Sequence, residues 1–301
     1  MNNKLKDKLV IGTWPLSGDY GHVNLKIVQE TLETCYEHGL REFDTAPSYG
    51  NGFIEHCLGN VMANKDDVLI NTKVGNAAFL GKSFSVDDMR ISFEQSLKRL
   101  SIEKVNILFL HNPRDDLDNN KVVIDFMSNL QEEGKLRFKG ISLAKNYDYD
   151  PEFLKEFDVV QDDGNLLDMR FINLDLPKRI NFMARSPLAG GILSGNITAE
   201  SIFPVGDHRS GWLIGERLNS ILRRVNKLTT EFDMEIIELA KKFVFSNSKI
   251  QKVIFGVKNP EHVSSILRRT DTQELDLETV EKLIKLYLDD FGLEGEKHLS
   301  F

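Results

Sequence analysis

Short apolar stretches alternate along the chain with longer stretches in which apolar residues recur at helical spacing. The first apolar stretch is 9–13, and the segment that follows, 23–38, has helical spacing and stops before Gly39. Strands are further predicted at 40–44, 68–73, 105–110, 138–142, 157–161, 181–184 and 251–255. Helices are predicted at 53–63, 85–100, 120–133, 151–155, 167–178, 213–244 with a break near Phe232, and 260–268.

Eight short strands separated by helices predict a single-domain (β/α)8 TIM barrel spanning residues 1–301. An open doubly wound sheet is disfavoured, because the segment from Gly12 through Thr13 and Trp14 does not match the glycine pattern of a dinucleotide-binding turn. Two stretches are additional to a bare barrel. They are a loop insertion near 196–213 and a C-terminal helix and tail at 270–301.

Composition narrows the class of protein. Hydrophobic residues make up 41% and charged residues 28%, a balance typical of a globular protein rather than a disordered or membrane-spanning one. The net charge of −8 and the absence of a basic stripe argue against a nucleic-acid partner. Cys35 and Cys57 lack metal-ligand spacing, so no metal site is expected. The N-terminal residues are polar and lysine-rich without an apolar segment behind them, and we expect a cytoplasmic protein.

Polar side chains with catalytic potential follow three of the predicted strands. Asp44 ends the strand at 40–44, and Tyr49 comes five residues later, after a turn that contains Pro47. Lys73 ends the strand at 68–73, and His111 directly follows the strand at 105–110. In a (β/α)8 barrel the catalytic groups lie where strands end, so these side chains are expected to converge at one mouth.

These residues lie in segments that resemble the aldo-keto reductase superfamily. The matching segments, in the order of the family, are FDTAPSYGNGFIEHCLG (43–59), NTKVG (71–75), SFEQSLKRLSIEKVNILFLH (92–111), SPLAGGILSG (186–195) and FGVKNPEHV (255–263). The resemblance extends over nearly the whole chain. It implies a (β/α)8 barrel that reduces an aldehyde, ketone or sugar carbonyl with a hydride from NADP(H).

The resemblance implies a role for each catalytic candidate. Tyr49 is the proton donor, Lys73 favours its ionised form, Asp44 holds Lys73, and His111 orients the carbonyl. The chemistry requires such a set, because a carbonyl that accepts hydride must be protonated and free tyrosine, with a pKa of about 10, is a weak acid. A neighbouring ammonium group lowers that pKa.

The resemblance also implies positions that contact the cofactor. Ser142 and Gln161 match residues that bind the carboxamide, and Lys258 matches a basic residue that contacts the adenosine 2′-phosphate. The loop after the seventh strand follows the pyrophosphate, where glycine lets the backbone approach closely. The full set of expected cofactor contacts is Gly12, Thr13, Trp14, Asp44, Ser142, Gln161, Arg185, Ser186, Leu188, Gly190, Gly256, Lys258 and His262.

The sequence departs from the family pattern at three positions. Leu143 stands where an asparagine is common, Ile266 replaces an asparagine near the adenine, and Arg185 stands where many relatives stack an aromatic ring on the nicotinamide. The guanidinium group of Arg185 could itself stack on that ring. Alternatively, it could turn away and pair with a carboxylate such as Asp207.

Two other functions remain open at this stage. The same fold could be a non-enzymatic subunit that binds NADP(H) and signals through a partner, or a cofactor-free lyase in which Lys73 forms a Schiff base. The expected partner is a small carbonyl or alcohol substrate. The sequence leaves the identity of that substrate and the oligomeric state open.

Overall fold

The computed structural model describes residues 3–79, 81–114, 117, 120–145, 147–268 and 274–293. Eight parallel strands close into a barrel, and each lies beside its neighbours in chain order until the last strand pairs with the first. Helices surround the barrel. The predicted (β/α)8 fold is therefore confirmed.

The first half of the chain alternates regularly. Its elements are α1 (Asn3–Lys8), β1 (Leu9–Gly12), α2 (Leu25–Glu37), β2 (Glu42–Asp44), α3 (Phe53–Met62), β3 (Leu69–Val74), β4 (Asn76–Ala77), β5 (Gly81–Lys82), α4 (Val86–Leu100), β6 (Val105–His111), α5 (Asn120–Glu132) and β7 (Leu136–Ser142). Strands β4 and β5 form an antiparallel hairpin above the barrel rather than part of its wall.

The second half is less regular. Its elements are α6 (Pro151–Leu154), β8 (Val159–Asp163), β9 (Asn181–Arg185), α7 (Gly215–Phe232), α8 (Ile236–Ser246), β10 (Lys252–Gly256), α9 (Pro260–Arg268) and α10 (Leu277–Leu288). The predicted break near Phe232 is confirmed, because α7 ends there and the next residue, Asp233, adopts a left-handed φ of 42°. The predicted C-terminal helix is α10, whereas the tail at 294–301 lies outside the described residues.

The helix predicted at 167–178 is wrong. That segment contains only a short 3-10 turn, Arg170–Asn173, between β8 and β9. Asn165 explains the difference, because its side-chain oxygen accepts hydrogen bonds from the backbone N–H groups of Leu167 and Asp168, both at 2.9 Å. Such a local turn competes with helix formation. The apolar residues that produced the helical pattern are instead core residues of an irregular connection.

The interior of the barrel is packed with side chains. Inward-facing residues from five strands form one buried cluster, namely Val10, Ile107, Phe109, Val159, Met183 and Ile254. Gly140 on the neighbouring strand makes room for Phe109, since a Cβ atom there would lie 2.4 Å from the Phe109 ring. Because this layer fills the barrel, ligand access is restricted to the end above it.

No helix within the described ranges has both the length and the apolar character needed to cross a bilayer.

Candidate active site

Strand register places the candidate residues at the carboxyl end of the barrel. His111 on β6 pairs with Ser142 on β7, and Ser142 pairs in turn with Gln161 on β8. Across the next pair, Asp163 on β8 lies opposite Arg185 on β9. These side chains therefore form adjacent positions around one rim, as the sequence predicts for strand ends.

Asp44 and Lys73 form a buried ion pair at the ends of β2 and β3. The Lys73 Nζ atom lies 2.6 Å from Asp44 Oδ1 and also donates to the Thr45 carbonyl at 2.8 Å. Only 1% of the Lys73 side chain and 5% of the Asp44 side chain are exposed. Burial lowers the pKa of Lys73, but Asp44 and Tyr49 together raise it by more, so the pKa lies above its ordinary value and the ammonium is charged.

Tyr49 lies over this pair on the turn after β2. The Lys73 ammonium lies 4.9 Å from the Tyr49 ring centroid. Burial raises the pKa of Tyr49, and Lys73 lowers it by less, so the phenol is neutral at physiological pH. The ammonium does lower the pKa of Tyr49, as expected, but burial raises it by more. The result is a protonated phenol with a cation beside it.

His111 faces Tyr49 with its ring edge-on, at a centroid distance of 6.2 Å. Burial lowers the pKa of His111 well below its ordinary value, and the charges of Lys73, Arg185 and Lys82 lower it further. The imidazole is therefore neutral. Its buried Nδ1 atom has no hydrogen-bond partner within the described residues.

A chain of hydrogen bonds links the ion pair to the other strand ends. Gln161 Nε2 donates to Asp44 Oδ2 at 3.0 Å, and Ser142 Oγ donates to Gln161 Oε1 at 2.8 Å. Arg185 Nη1 then donates to Ser142 Oγ at 2.8 Å. The two residues predicted to bind a carboxamide are thus already connected to Asp44 and to Arg185.

Arg185 pairs with a different carboxylate from the one that the sequence suggested. Its Nε atom lies 3.3 Å from Asp163 Oδ1, whereas Asp207 is occupied by Arg209 at 2.6 Å. The proposed pairing of Arg185 with Asp207 is therefore wrong. Burial raises the pKa of Asp163, but Arg185 and Lys145 lower it by more, to about 2, so this carboxylate is ionised.

A cleft of about 1240 Å³ connects these groups with the loops above β9 and β10. Of the predicted site residues, all but two line this cleft: Gly12, Trp14, Asp44, Tyr49, His111, Ser142, Gln161, Arg185, Ser186, Leu188, Gly190, Gly256, Lys258 and His262. Lys73 lies behind Asp44, and Thr13 is buried with its hydroxyl donating to the Asp44 carbonyl at 2.9 Å. Both residues hold Asp44 in place without lining the cleft themselves.

The far end of the cleft has features of an anion site. Gly190 adopts a left-handed φ of 65°, which exposes backbone at the cleft wall. Lys258 is half-buried and donates to the Tyr20 carbonyl at 2.5 Å. It precedes α9, whose first turn carries His262 with its N–H bonded to Asn259. A helix N-terminus with an adjacent cation such as Lys258 favours phosphate groups.

The sequence did not single out several residues that line the cleft. Asp163 and Lys145 form an ion pair at 3.3 Å near Arg185. Arg209, in the segment predicted as a loop insertion near 196–213, donates to the Gly190 carbonyl at 3.2 Å. Lys241 of α8 is buried and donates to the Ser265 and Ile266 carbonyls. The predicted strand ended at Gln161, two residues before Asp163, so the pattern provided no signal for this carboxylate.

The residues present fit a nicotinamide dinucleotide better than a metal ion. No group of three or more His, Cys, Asp or Glu side chains in the described part of the chain is arranged to hold a metal. The cleft instead combines the end that carries Asp44 and Tyr49 with a glycine-containing wall and a far end that carries Lys258, which is an arrangement suited to a dinucleotide. Gln161 Oε1 carries a second lone pair, and it could accept from a carboxamide.

Comparison with known proteins shows the family to which the chain belongs. The sequence profile described as the Aldo/keto reductase family matches residues 8–287. The chain therefore belongs to the aldo/keto reductase family.

Individual relatives are more distant. The chain is 25% identical over 281 residues to Aldo-keto reductase YhdN from Bacillus subtilis, covering 86% of this chain and 83% of the relative. It is 25% identical over 287 residues to an NADH-specific methylglyoxal reductase from Escherichia coli, covering 85% and 87%. A glycerol dehydrogenase structure from Gluconobacter oxydans superposes with a TM-score of 0.78 at 21% identity, over 98% of this chain and 95% of the other. That similarity supports the fold alone.

Proposed function

We propose that this chain is an NADP(H)-dependent oxidoreductase that reduces an aldehyde, ketone or sugar carbonyl. The observation that carries the proposal is the buried pair of Asp44 and Lys73, with its 2.6 Å contact, beside the neutral Tyr49, whose ring centroid lies 4.9 Å from Lys73 Nζ. A neutral phenol beside a buried cation is suited to donate a proton to a developing alkoxide, because the cation stabilises the tyrosinate that forms.

Each member of the group has a separate task. A bound nicotinamide would supply the hydride that the carbonyl carbon accepts, and Tyr49 would transfer its proton to the carbonyl oxygen. Lys73 stabilises the tyrosinate that remains, because the two charges attract in a buried site. Asp44 keeps Lys73 in place and offsets the cost of burying its charge.

His111 acts in its neutral form. Because its pKa lies well below the ordinary value, it cannot compete with Tyr49 as the acid at neutral pH. A neutral imidazole can donate one hydrogen bond to the carbonyl oxygen and so orient it toward Tyr49. We therefore assign His111 an orienting role rather than a protonating one.

The remaining cleft residues would hold the cofactor. Gln161, which is bonded to the Asp44 carboxylate, and Ser142, which is bonded to Gln161, would bind the carboxamide. The backbone around Ser186, Leu188 and Gly190 would follow the pyrophosphate, and Lys258 with His262 would face the adenosine phosphate. Cofactor choice does not follow from family membership, since one relative is named as NADH-specific.

Replacing Lys258 by glutamate tests the preference for NADPH. We expect NADPH binding to weaken by roughly 1–3 kcal/mol, while NADH binding changes little, because only NADPH carries a phosphate for the ammonium to contact. Dissociation constants for both cofactors, measured by fluorescence titration at two salt concentrations, provide the readout.

Lys249→Glu is the matched control, because Lys249 also donates to a backbone carbonyl but does not line the cleft. Equal losses for NADPH and NADH in Lys258→Glu would mean that this lysine does not recognise the phosphate.

The oxidoreductase proposal itself is tested by titrating the protein with NADPH and then adding a panel of aldehydes, ketones and sugars. Saturable binding followed by carbonyl-dependent loss of NADPH absorbance is the expected result. A sensing subunit would bind NADPH and leave it unoxidised across the panel. A Schiff-base lyase would not bind NADPH. In that case borohydride would reduce the Schiff base and leave the carbonyl compound covalently attached to Lys73.

A further inference from the structure

The guanidinium group of Arg185 makes four hydrogen bonds and two ion pairs within the protein. Nε faces Asp163 at 3.3 Å, and Nη1 donates to Ser142 at 2.8 Å and to Asn112 at 3.2 Å. Nη2 donates to the Leu143 carbonyl at 2.8 Å and lies 3.5 Å from an Asp162 oxygen. Four of the five N–H donors of the guanidinium group are thus hydrogen-bonded, so this side chain is fixed in one orientation.

Those acceptors belong to three strand ends. Asn112 and Ser142 follow or end β6 and β7, and Asp163 ends β8, while Arg185 itself ends β9. The side chain therefore ties four consecutive strands together at the rim. Only 18% of it is exposed, and the exposed part lines the cleft.

The contact to Ser142 continues to the catalytic pair. Ser142 donates to Gln161, which donates to the Asp44 oxygen that does not bind Lys73. Hence both oxygens of Asp44 are fixed, one by Lys73 and one by a chain that begins at Arg185. Moving Ser142 would change the direction in which Gln161 holds the carboxylate.

Arg185 also brings a second positive charge to the catalytic end. Its charge acts on both Tyr49 and His111 in the same direction as that of Lys73. The charged and titratable groups that face His111 are Lys73, Arg185, Lys82 and Tyr49. Removing Arg185 takes away one of the three cations among them.

We propose that Arg185 is a positioning residue for the reduction, which orients Asp44 through Ser142 and Gln161 and keeps a fixed positive charge beside His111. The proposal rests on the oxidoreductase function above and deepens it. It differs from a purely structural role in predicting an effect on the catalytic end that exceeds any effect on folding.

Three variants separate these possibilities. Arg185→Met removes the charge and the hydrogen bonds. Arg185→Lys keeps the charge but loses the planar guanidinium group that bonds to three strand ends at once. Arg170→Met is the matched control, because Arg170 makes a comparable paired contact to Asp168 at 2.8 Å and does not line the cleft.

For Arg185→Met we expect kcat to fall about 100-fold, with a smaller change in the dissociation constant of NADPH, as is typical of a misplaced catalytic group. NMR titration of the seven histidines in the cofactor-free protein, with His111→Gln for assignment, should show the pKa of His111 raised in Arg185→Met and unchanged in Arg185→Lys. Arg185→Lys should nevertheless lose kcat, because the hydrogen-bond chain is broken.

A wild-type kcat in Arg185→Lys, or an unchanged His111 titration in Arg185→Met, would overturn the proposal. So would losses in kcat that match those of Arg170→Met at equal loss of Tm. If Arg185→Met does not fold, Arg185→Lys alone decides through kcat. Should the wild-type protein fail to oxidise NADPH, the oxidoreductase function fails, whereas the histidine titration still tests the placement of the charge.

Discussion

Replacement of Tyr49 by phenylalanine is expected to lower kcat by about 10²- to 10⁴-fold, the range typical of losing a general acid. The substitution keeps the ring, which packs edge-on to His111 and beside Trp14, and removes only the hydroxyl. NADPH affinity should therefore change little. Stopped-flow single turnovers, together with a fluorescence titration, would separate the chemical step from binding.

Tyr36→Phe is a suitable control for this experiment. Tyr36 on α2 also loses a hydroxyl that is hydrogen-bonded, to Asp67 at 3.1 Å, but it lies outside the cleft. Its kcat should stay at the wild-type value. Turnover by Tyr49→Phe at a rate close to that of Tyr36→Phe would exclude Tyr49 as the proton donor.

Neutralising either partner of the buried ion pair should have an effect of similar size. Lys73→Met and Asp44→Asn are each expected to lower kcat by about 10²-fold or more, and the double variant should lose much less than the product of the two. Each single variant leaves an uncompensated charge in a site that is almost fully buried. We therefore expect each to lower the free energy of unfolding by about 3–5 kcal/mol, and the double variant to recover part of that loss.

Chemical denaturation measures the stability term independently of activity. The pair of Arg224 and Asp290, which are 2.9 Å apart, provides a control cycle, because both residues lie away from the cleft. Arg224→Met and Asp290→Asn should show coupling in stability and a wild-type kcat. Strictly multiplicative effects of the Lys73 and Asp44 substitutions on kcat would contradict a shared role.

The alternation of apolar stretches predicted the barrel, since eight strands of similar character separated by helices have few other solutions. The ends of β2, β3 and β6 were located to within a residue or two, and so the positions of Asp44, Lys73 and His111 followed. The helix at 167–178 was wrong because buried apolar residues in an irregular turn resemble one face of a helix. A side-chain acceptor such as Asn165 decides whether the segment forms a helix or an irregular turn. The spacing of apolar residues does not show which hydrogen bonds that side chain accepts.

The partners of Arg185 illustrate a second limit. Strand β8 was predicted at 157–161 and lies at Val159–Asp163, so Asp163 stood outside the predicted strand. A carboxylate beyond the strand gives no reason to expect a contact with β9. Only the register, in which Asp163 lies opposite Arg185, reveals the pair. Contacts across strands depend on such offsets, because a shift of one residue reverses which face a side chain occupies.

The packed layer of side chains beneath the cleft limits which parts of this protein can be exchanged in engineering. Phe109, Met183 and their neighbours fill the barrel, and Gly140 leaves no space for a larger residue beside Phe109. The backbone below the candidate catalytic groups therefore tolerates little change, whereas the loops at 14–20 and 76–79 contribute residues to the cleft above it. Loop exchange with other barrels of this family should therefore alter which molecules enter, without disturbing the side chains to which we assign the chemistry.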